Sequence, residues 1–313
     1  MYTNKLVSIA LCTYNGELYL EEQLNTLVEQ TYKNIEIVIA DDSSTDGTFE
    51  IIKKFADKHK SIKSFRNTQN LGFVKNFEKA IGECTGEFIC LCDQDDLWDK
   101  SKIEKLVSHI GDSNLIYHNS NFIDENGVVI GFETMASKYN FYYGDSAIPF
   151  MLSNCVSGHA MMFSRKLIDY FLPLEEKFFH DWWITYVAFN LAEPVIYLDE
   201  VLVGYRQHSM SITDNFEIKE SSQNVKNRHM INVNLPWLKK CATYKHNKQP
   251  FLAKKTYSLF KNFEKGKNRF GLFLFLAKNF DLVIYNPRLR KTSLSKLNYI
   301  RKLCYEKDRF YYQ

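Results

Sequence analysis

A doubly wound α/β fold, with a mostly parallel sheet flanked by helices, is predicted by two features of residues 1–112. Short apolar runs alternate with stretches whose hydrophobic positions recur at helical spacing. Such alternation builds parallel sheets covered by helices on their faces. Polar residues collect just after three of the apolar runs, at Thr13-Tyr14-Asn15, Asp41-Asp42 and Asp93-Gln94-Asp95-Asp96. Beyond the carboxyl ends of the strands is where such sheets bind ligands.

The elements follow in order. Leu6 to Cys12 is a buried strand that ends in the turn Thr13-Tyr14-Asn15-Gly16. From Glu17 to Gln30, Leu20, Leu24, Leu27 and Val28 mark one helix face. Ile35 to Ala40 is the second strand, and Ser43-Ser44-Thr45-Asp46 supplies N-cap chemistry for a helix to about Lys58. A strand at Ile62 to Phe65, a helix from about Val74 to Cys84 and a strand at Phe88 to Cys92 continue the alternation. After about Asp112 the pattern loosens into shorter elements as far as His208, and no internal repeat occurs. From Ser221 the chain is helical and basic, interleaved with Trp237, Tyr244, Phe251, Tyr257, Phe260 and Phe263. The expected organisation is a body over residues 1–220, with halves 1–112 and 113–220, and a C-terminal region over 221–313.

With 313 residues, 45% hydrophobic and 25% charged, the chain is neither disordered nor a low-complexity polymer. Its net charge of +3 conceals an asymmetry: residues 1–220 carry 19 Lys and Arg against 33 Asp and Glu, and residues 221–313 carry 21 against 4. A basic region on an acidic body points to an anionic partner. The seven cysteines are odd in number, and Cys90 and Cys92 lie in an apolar run, so a disulfide framework is not expected and a reduced, cytoplasmic compartment is. Cys90-Leu91-Cys92 has no second pair with which to hold zinc. Met1 to Lys5 leads straight into the first strand without a signal-peptide core, and the longest later apolar run, Phe270 to Ala277, is too short to span a bilayer.

The most distinctive segment is the strand Phe88 to Cys92 followed by three carboxylates within four residues. Crowded carboxylates repel, and a hard divalent cation, Mn²⁺ or Mg²⁺, relieves that repulsion while phosphate oxygens fill its other positions. The competing reading is an Asp-rich turn capping a helix near Asp99. Thr13, Asn15 and Glu17 offer hydroxyl, amide and carboxylate groups suited to a base or ribose. No glycine-rich dinucleotide motif or P-loop is present.

Val7 to Asn15 (VSIALCTYN), Ile37 to Thr48 (IVIADDSSTDGT), Asn70-Leu71-Gly72 and Gly86 to Trp98 (GEFICLCDQDDLW), in this order and spacing, resemble an inverting family 2 glycosyltransferase of the GT-A fold. The Asp-Gln-Asp-Asp variant with a following Trp is similar to bacterial rhamnosyltransferase-like enzymes that build surface polysaccharides. The resemblance covers about residues 5 to 215. It implies that Thr13, Tyr14, Asn15 and Glu17 wall a nucleotide site, that Asp42 or Asp41 faces the base, and that Asn70 lies near the nucleoside. Asp93 and Gln94 would meet the ribose and diphosphate, with Asp95 the favoured metal ligand and Asp96 the alternative. In Phe179-His180-Asp181-Trp182-Trp183 it points to Asp181 as the base that deprotonates the acceptor, with His180 and Trp182 shaping the site. In Tyr205-Arg206-Gln207-His208, His208 would ligate the metal or donate to the diphosphate, and Arg206 would neutralise phosphate. The turn Asn154 to His159, with Gly158, resembles a loop beside the transferred sugar, and His159 is given no role.

The implied reaction is transfer of a sugar from a nucleotide-diphospho-sugar to an acceptor hydroxyl with inversion. Two rivals are an Asp-x-Asp phosphohydrolase, with Asp93 as nucleophile and Asp95 as acid, and a non-catalytic nucleotide or membrane adaptor. The first is disfavoured because its loop normally follows the first strand, whereas here it follows the fourth. Aromatic residues among Lys and Arg in the C-terminal region suit an anionic membrane surface, and with it a lipid-linked saccharide acceptor. The expected location is peripheral, at the inner face of the cell membrane. No nucleic-acid module is recognised, so nucleic acid is not an expected partner.

Overall fold

The computed structural model describes residues 4–138, 141–142, 144–208, 231–284, 292–306 and 310–312. It divides into two compact units, the first comprising Met1–Tyr139, Val156–Ala188 and Glu193–His208. Its opening alternation is β1 (Val7–Thr13), α1 (Leu20–Val28), β2 (Ile35–Asp41), α2 (Thr48–Lys58), β3 (Ile62–Arg66), α3 (Phe73–Glu83) and β4 (Phe88–Cys92). These bounds lie within a few residues of those read from the hydrophobic pattern. Then come β5 (Leu97–Trp98), α4 (Lys102–Ile110), β6 (Leu115–Ile123), β7 (Val129–Thr134), α5 (Met135–Lys138), β8 (Met161–Ser164), α6 (Ile168–Phe171), α7 (His180–Phe189) and β9 (Val195–Arg206).

Among the described residues, nine strands form one sheet in the order β3-β2-β1-β4-β8-β6-β9-β5, with β7 paired to β6. The pairs β1–β2, β1–β4 and β2–β3 are parallel. Beyond β4 the sheet is mixed: β8 runs antiparallel to both β4 and β6, whereas β6 and β9 are parallel. The expected parallel arrangement therefore describes the first half and gives way where the sequence pattern loosened. Every residue of β1 and β4 is buried, as strands covered on both faces must be. Ile9, Leu11, Ile37, Ile39 and Cys90 pack under Leu20, Leu24 and Leu27 of α1, Ile52 of α2, and Ile103, Leu106 and Ile110 of α4. Each such aliphatic side chain contributes about 2 kcal/mol when removed from water. None of the seven cysteines is in a disulfide, and six of them are buried.

The second unit comprises Asn140–Cys155, Phe189–Ala192 and Ser209–Gln313. Residues 140–155 and 189–192, read from sequence as part of the body, cluster here with the C-terminal region. The boundary expected near residue 220 lies outside the described residues. The unit holds a 3₁₀ turn (Ile148–Met151), β10 (Ile231–Val233), α8 (Leu235–Thr243), α9 (Pro250–Glu264), α10 (Arg269–Lys278), α11 (Phe280–Val283), α12 (Ser293–Tyr305) and β11 (Phe310–Tyr312), the last pairing with β10. Asn234 caps α8 by accepting from Trp237 N–H, and Thr292 caps α12 from Ser295 N–H. Trp237 and Phe260, read as interfacial aromatics, are instead core residues, and the Trp237 indole donates to Phe150 O at 3.2 Å. Phe251 is 78% exposed. Among the described residues no helix is long and apolar enough to cross a membrane.

Candidate active site

Parallel pairing in register brings the ends of β1, β2 and β4 to one rim: Thr13 lies opposite Asp41, and Leu11 opposite Cys92. The loops after β1 and β2 are tied to each other. Asn15 and Ser43 adopt left-handed backbone, with φ of 48° and 64°, a conformation costing a non-glycine residue about 1 kcal/mol. Side chains hold it in place. Asn15 N–H donates to Ser44 Oγ at 3.0 Å, and Asn15 Oδ1 accepts from Thr45 N–H at 2.8 Å. Glu17 Oε2 accepts from Gly47 N–H at 2.6 Å, while Glu17 N–H donates to Asp46 at 3.2 Å.

The carboxylates after β2 face inward. Asp41 accepts from Thr13 Oγ1 at 3.1 Å and Ser44 N–H at 3.1 Å, and lies 3.3 Å from Arg66 Nε. Asp42 accepts from Asn67 Nδ2 and Leu71 N–H, both at 2.8 Å, and from Gly72 N–H at 2.9 Å. Asn70 Oδ1 also accepts from Gly72 N–H, at 3.0 Å. Both aspartates, of which one or the other is expected to face a base, are buried, and their bonds shape the loops that form the rim. Arg66, at the end of β3, adds a positive charge that the loop sequences themselves lack.

Gln94 clamps Tyr14: its Oε1 accepts from Tyr14 N–H at 2.8 Å, and its Nε2 donates to Tyr14 O at 3.1 Å. A Cβ at Gly16 would collide with that amide, which accounts for glycine there. The Tyr14 ring stays 46% exposed.

The Asp93–Asp96 segment separates its carboxylates by depth. Burial raises Asp93 to about 7, reinforced by the negative charges of Asp95 and Asp181 and opposed by Lys102. Asp95 Oδ2 meets His208 Nε2 at 2.9 Å. Asp96 is fully buried; its Oδ1 accepts from Arg206 N–H at 3.1 Å, and its Oδ2 has no hydrogen-bond partner. That oxygen lies 3.9 Å from His159 Nδ1. Burial, then the Asp95 and Asp93 charges, push Asp96 well above the usual carboxylate range.

Arg206 is not free to meet a phosphate. Its side chain is fully buried, and it donates to Asp95 O at 2.7 Å, Glu125 O at 2.6 Å and Glu22 Oε2 at 2.7 Å, with the guanidinium 4.5 Å from the Tyr19 ring centre. Its guanidinium thus holds the Asp95 backbone, while its own N–H holds the Asp96 carboxylate. The His208 ring packs against the same Tyr19 ring, 4.9 Å between centroids.

Asp181 opens α7. Burial raises its carboxyl to about 6, opposed by N–H groups of Trp182, Gly158 and Asp181 itself; the Trp182 bond measures 2.7 Å. A Cβ at Gly158 would touch His180 and Asp181, so this turn lies directly against the acid. His180 stacks on Phe77 at 4.3 Å, and burial lowers its ring to about 3. It is a neutral wall beside Asp181. Trp182 is half-buried in the next position.

Two residues given no role from sequence are central. Lys102 is fully buried, its ammonium 3.1 Å from the Trp98 ring centre and donating to His159 O at 2.7 Å. Burial lowers it to about 8 despite nearby acids. His159 stacks on Tyr205 at 4.7 Å, contacts Ser120 Oγ through Nε2 at 3.1 Å, and is lowered by burial, then by Lys102, to about 3. Ligand atoms of Asp93, Asp96 and His159 lie within 4.8 Å of one another.

The profile of glycosyl transferase family 2 matches residues 8–171, more than half of the chain. The dTDP-rhamnosyl transferase RfbG of Shigella flexneri is 38% identical over 118 residues, 36% of this chain and 41% of RfbG. The UDP-Glc:alpha-D-GlcNAc-diphosphoundecaprenol beta-1,3-glucosyltransferase WfaP of Escherichia coli is 32% identical over 138 residues, 44% of this chain and 54% of WfaP. The chain spans about half the length of these curated relatives. TarS 1-349 of S. aureus, solved with UDP-GlcNAc, superposes with a TM-score of 0.60 at 20% identity, covering 95% of this chain and 81% of that one. The mannosyltransferase PcManGT of Pyrobaculum calidifontis, solved with GDP-Man and Mn²⁺, gives 0.57 at 18%, covering 97% and 88%. These structural likenesses establish the GT-A fold, and the profile match establishes that the chain belongs to glycosyl transferase family 2.

Proposed function

We propose that the protein is a metal-dependent, inverting hexosyltransferase that moves a sugar from a nucleotide-diphospho-sugar to a saccharide hydroxyl in bacterial surface polysaccharide or glycoconjugate synthesis. The observation that carries this reading is Asp181, a half-buried carboxylate raised to about 6 that stands beside the Gly158 turn and adds its charge to that of Asp93 at the end of β4. Such a carboxylate is a stronger base than an exposed one and is still ionised near neutral pH. It takes the acceptor proton as the hydroxyl attacks the sugar, contributing ~10²- to 10⁴-fold. A single displacement inverts the anomeric centre.

The loops after β1 and β2 hold the nucleotide end. The exposed Tyr14 ring, fixed through its backbone by Gln94, offers a face to the base. Thr13, Asn15, Glu17, Asp41, Asp42 and Asn70 keep the loops in shape, and Asp93 faces the ribose and diphosphate.

The donor set fits a divalent cation, Mn²⁺ or Mg²⁺: Asp95 and His208 present oxygen and nitrogen together, and His208 Nδ1 is buried without a hydrogen-bond partner. Asp96 and His159 lie deeper and have the ammonium of Lys102 to offset charge, so we assign the ion to Asp95 and His208. When bound there it would neutralise the negative charge that grows on the departing diphosphate.

WfaP, by its name, acts on a diphosphoundecaprenol-linked sugar. A lipid-linked acceptor here accords with a basic C-terminal region held at an anionic membrane surface. The test is turnover of a panel of sugar nucleotides and of p-nitrophenyl phosphate, with and without Mn²⁺, by wild type and Asp181→Asn. Mn²⁺-dependent consumption of one sugar nucleotide is expected, with none of the phosphate ester. The variant should bind donor normally and turn over at least ~10²-fold more slowly. A fall of less than tenfold would make Asp181 a helix cap and place the base elsewhere.

A further inference from the structure

We infer that α10 and α12 form a docking surface for an anionic lipid bilayer, with Phe270, Leu274, Leu294 and Leu297 entering the interface and Lys278 and Lys296 meeting headgroup phosphate. The inference deepens, and rests on, the membrane-linked reading of the acceptor given above. Its evidence is the second unit alone.

α10 buries Leu272, Phe275 and Leu276, yet Phe270 is 64% and Leu274 51% exposed. Four residues apart, these two stand on one outer face. On α12, Ile300, Leu303 and Cys304 are buried, whereas Leu294 is 80% and Leu297 43% exposed, three residues apart. The two helices lie side by side and antiparallel. Phe273 meets Tyr305 with ring centroids 6.2 Å apart, and Lys278 shares with Ser293, Lys296 and Leu297 the lining of a cavity of about 580 Å³. Ala277 of α10 and Leu297 and Ile300 of α12 also line it, so apolar side chains from both helices flank that cavity, and Leu274 lies one turn before Lys278. Lys296 pairs with Asp281 at 2.6 Å; Lys278 has no acidic partner among the described residues, leaving the cavity with positive charge to spare.

Charge selects the occupant. Described residues between 231 and 306 include fourteen Lys and Arg against three Asp and Glu. A second copy of so basic a surface would be repelled, whereas a negatively charged bilayer is attracted and accepts the exposed rings and aliphatic chains. No described helix can cross the bilayer, so the surface lies on it.

The test is co-sedimentation of the full chain with vesicles of equimolar phosphatidylglycerol and phosphatidylcholine, and with phosphatidylcholine alone, at low and high salt. Wild type should bind only the anionic vesicles and detach in salt. The variant Phe270→Ser/Leu274→Ser/Leu294→Ser/Leu297→Ser should partition at least ~10-fold less, and Lys278→Gln/Lys296→Gln should bind with a weaker salt dependence. Unchanged circular dichroism and Tm establish that both variants fold. Sugar-nucleotide turnover, measured in parallel, should match wild type, so failure of the transfer reading is seen separately from failure of docking. Equal binding to neutral vesicles, no binding by wild type at low salt, or full binding by the four-serine variant would overturn the inference. So would a wild-type dimer that the four-serine variant loses, which would assign the face to a second copy.

Discussion

Asp95 and Asp96 are adjacent in the chain and each faces a histidine, yet their surroundings differ. Asp95 keeps a fifth of its side chain exposed and meets His208 at 2.9 Å; Asp96 is sealed, 3.9 Å from His159, with Lys102 contributing positive charge nearby. Asp96 has a lysine charge beside it and Asp95 does not, and on that difference rests the proposal that a divalent ion goes to Asp95. Chemical type and sequence position do not separate the two pairs. Burial and the location of one lysine do.

The largest effect expected from this contrast is on metal-dependent turnover. Asp95→Asn should nearly abolish it and weaken Mn²⁺-dependent donor binding, while Asp96→Asn, a neutral isostere of a carboxyl already pushed toward protonation, should retain most of both. The reverse outcome, in a side-by-side kinetic assay, would move the ion to the buried set. Next comes Lys102→Met, which keeps an apolar stem over Trp98 but removes the bond to His159 O and the positive charge that opposes the raised carboxyls of Asp93 and Asp96. It should lower the unfolding free energy by about 3 kcal/mol in denaturant titration. A loss below about 1 kcal/mol would mean the buried ammonium and its bond to His159 do not hold this part of the fold together.

A smaller and graded effect is the pH dependence. With its carboxyl raised to about 6, Asp181 must be ionised to accept a proton, so kcat should fall about tenfold per pH unit as pH drops below 6 and level off above it. An unchanged rate down to pH 5 would exclude Asp181 as the titrating base. The smallest effect is on the nucleotide side. Gln94→Ala removes two hydrogen bonds to the Tyr14 backbone and should raise donor KM about fivefold, corresponding to about 1 kcal/mol, with kcat little changed.

The half of the fold that presents the rim was legible because β1, β2 and β4 are buried on both faces and therefore read as continuous apolar runs ended by polar turns. The second half was not, because β6 and β9 pair with register shifts at His118 and Asn119, and β8 spans only Met161–Ser164. Candidate residues were legible by type and less so by use. Arg206 read as a phosphate ligand because its partners, Glu22, Asp95 and Glu125, come from segments far apart in sequence. Lys102 did leave a signal: it sits in line with Leu106 and Ile110 on the buried stripe of α4. A lysine on an apolar face is a residue whose charge needs a partner. His159 carried no such mark, since its neighbours Asp96, Ser120 and Tyr205 meet only in the folded sheet.

The central claim, that a divalent ion and a nucleotide-sugar share the carboxylate rim, is tested most directly by calorimetric titration of a sugar-nucleotide panel into the wild-type protein in Mn²⁺ and again in excess EDTA. The account predicts that at least one sugar nucleotide binds in Mn²⁺ and that chelation weakens its binding at least ~10-fold, a loss of about 1.4 kcal/mol. Equal affinity with and without the metal, or binding of none of the panel, would contradict it.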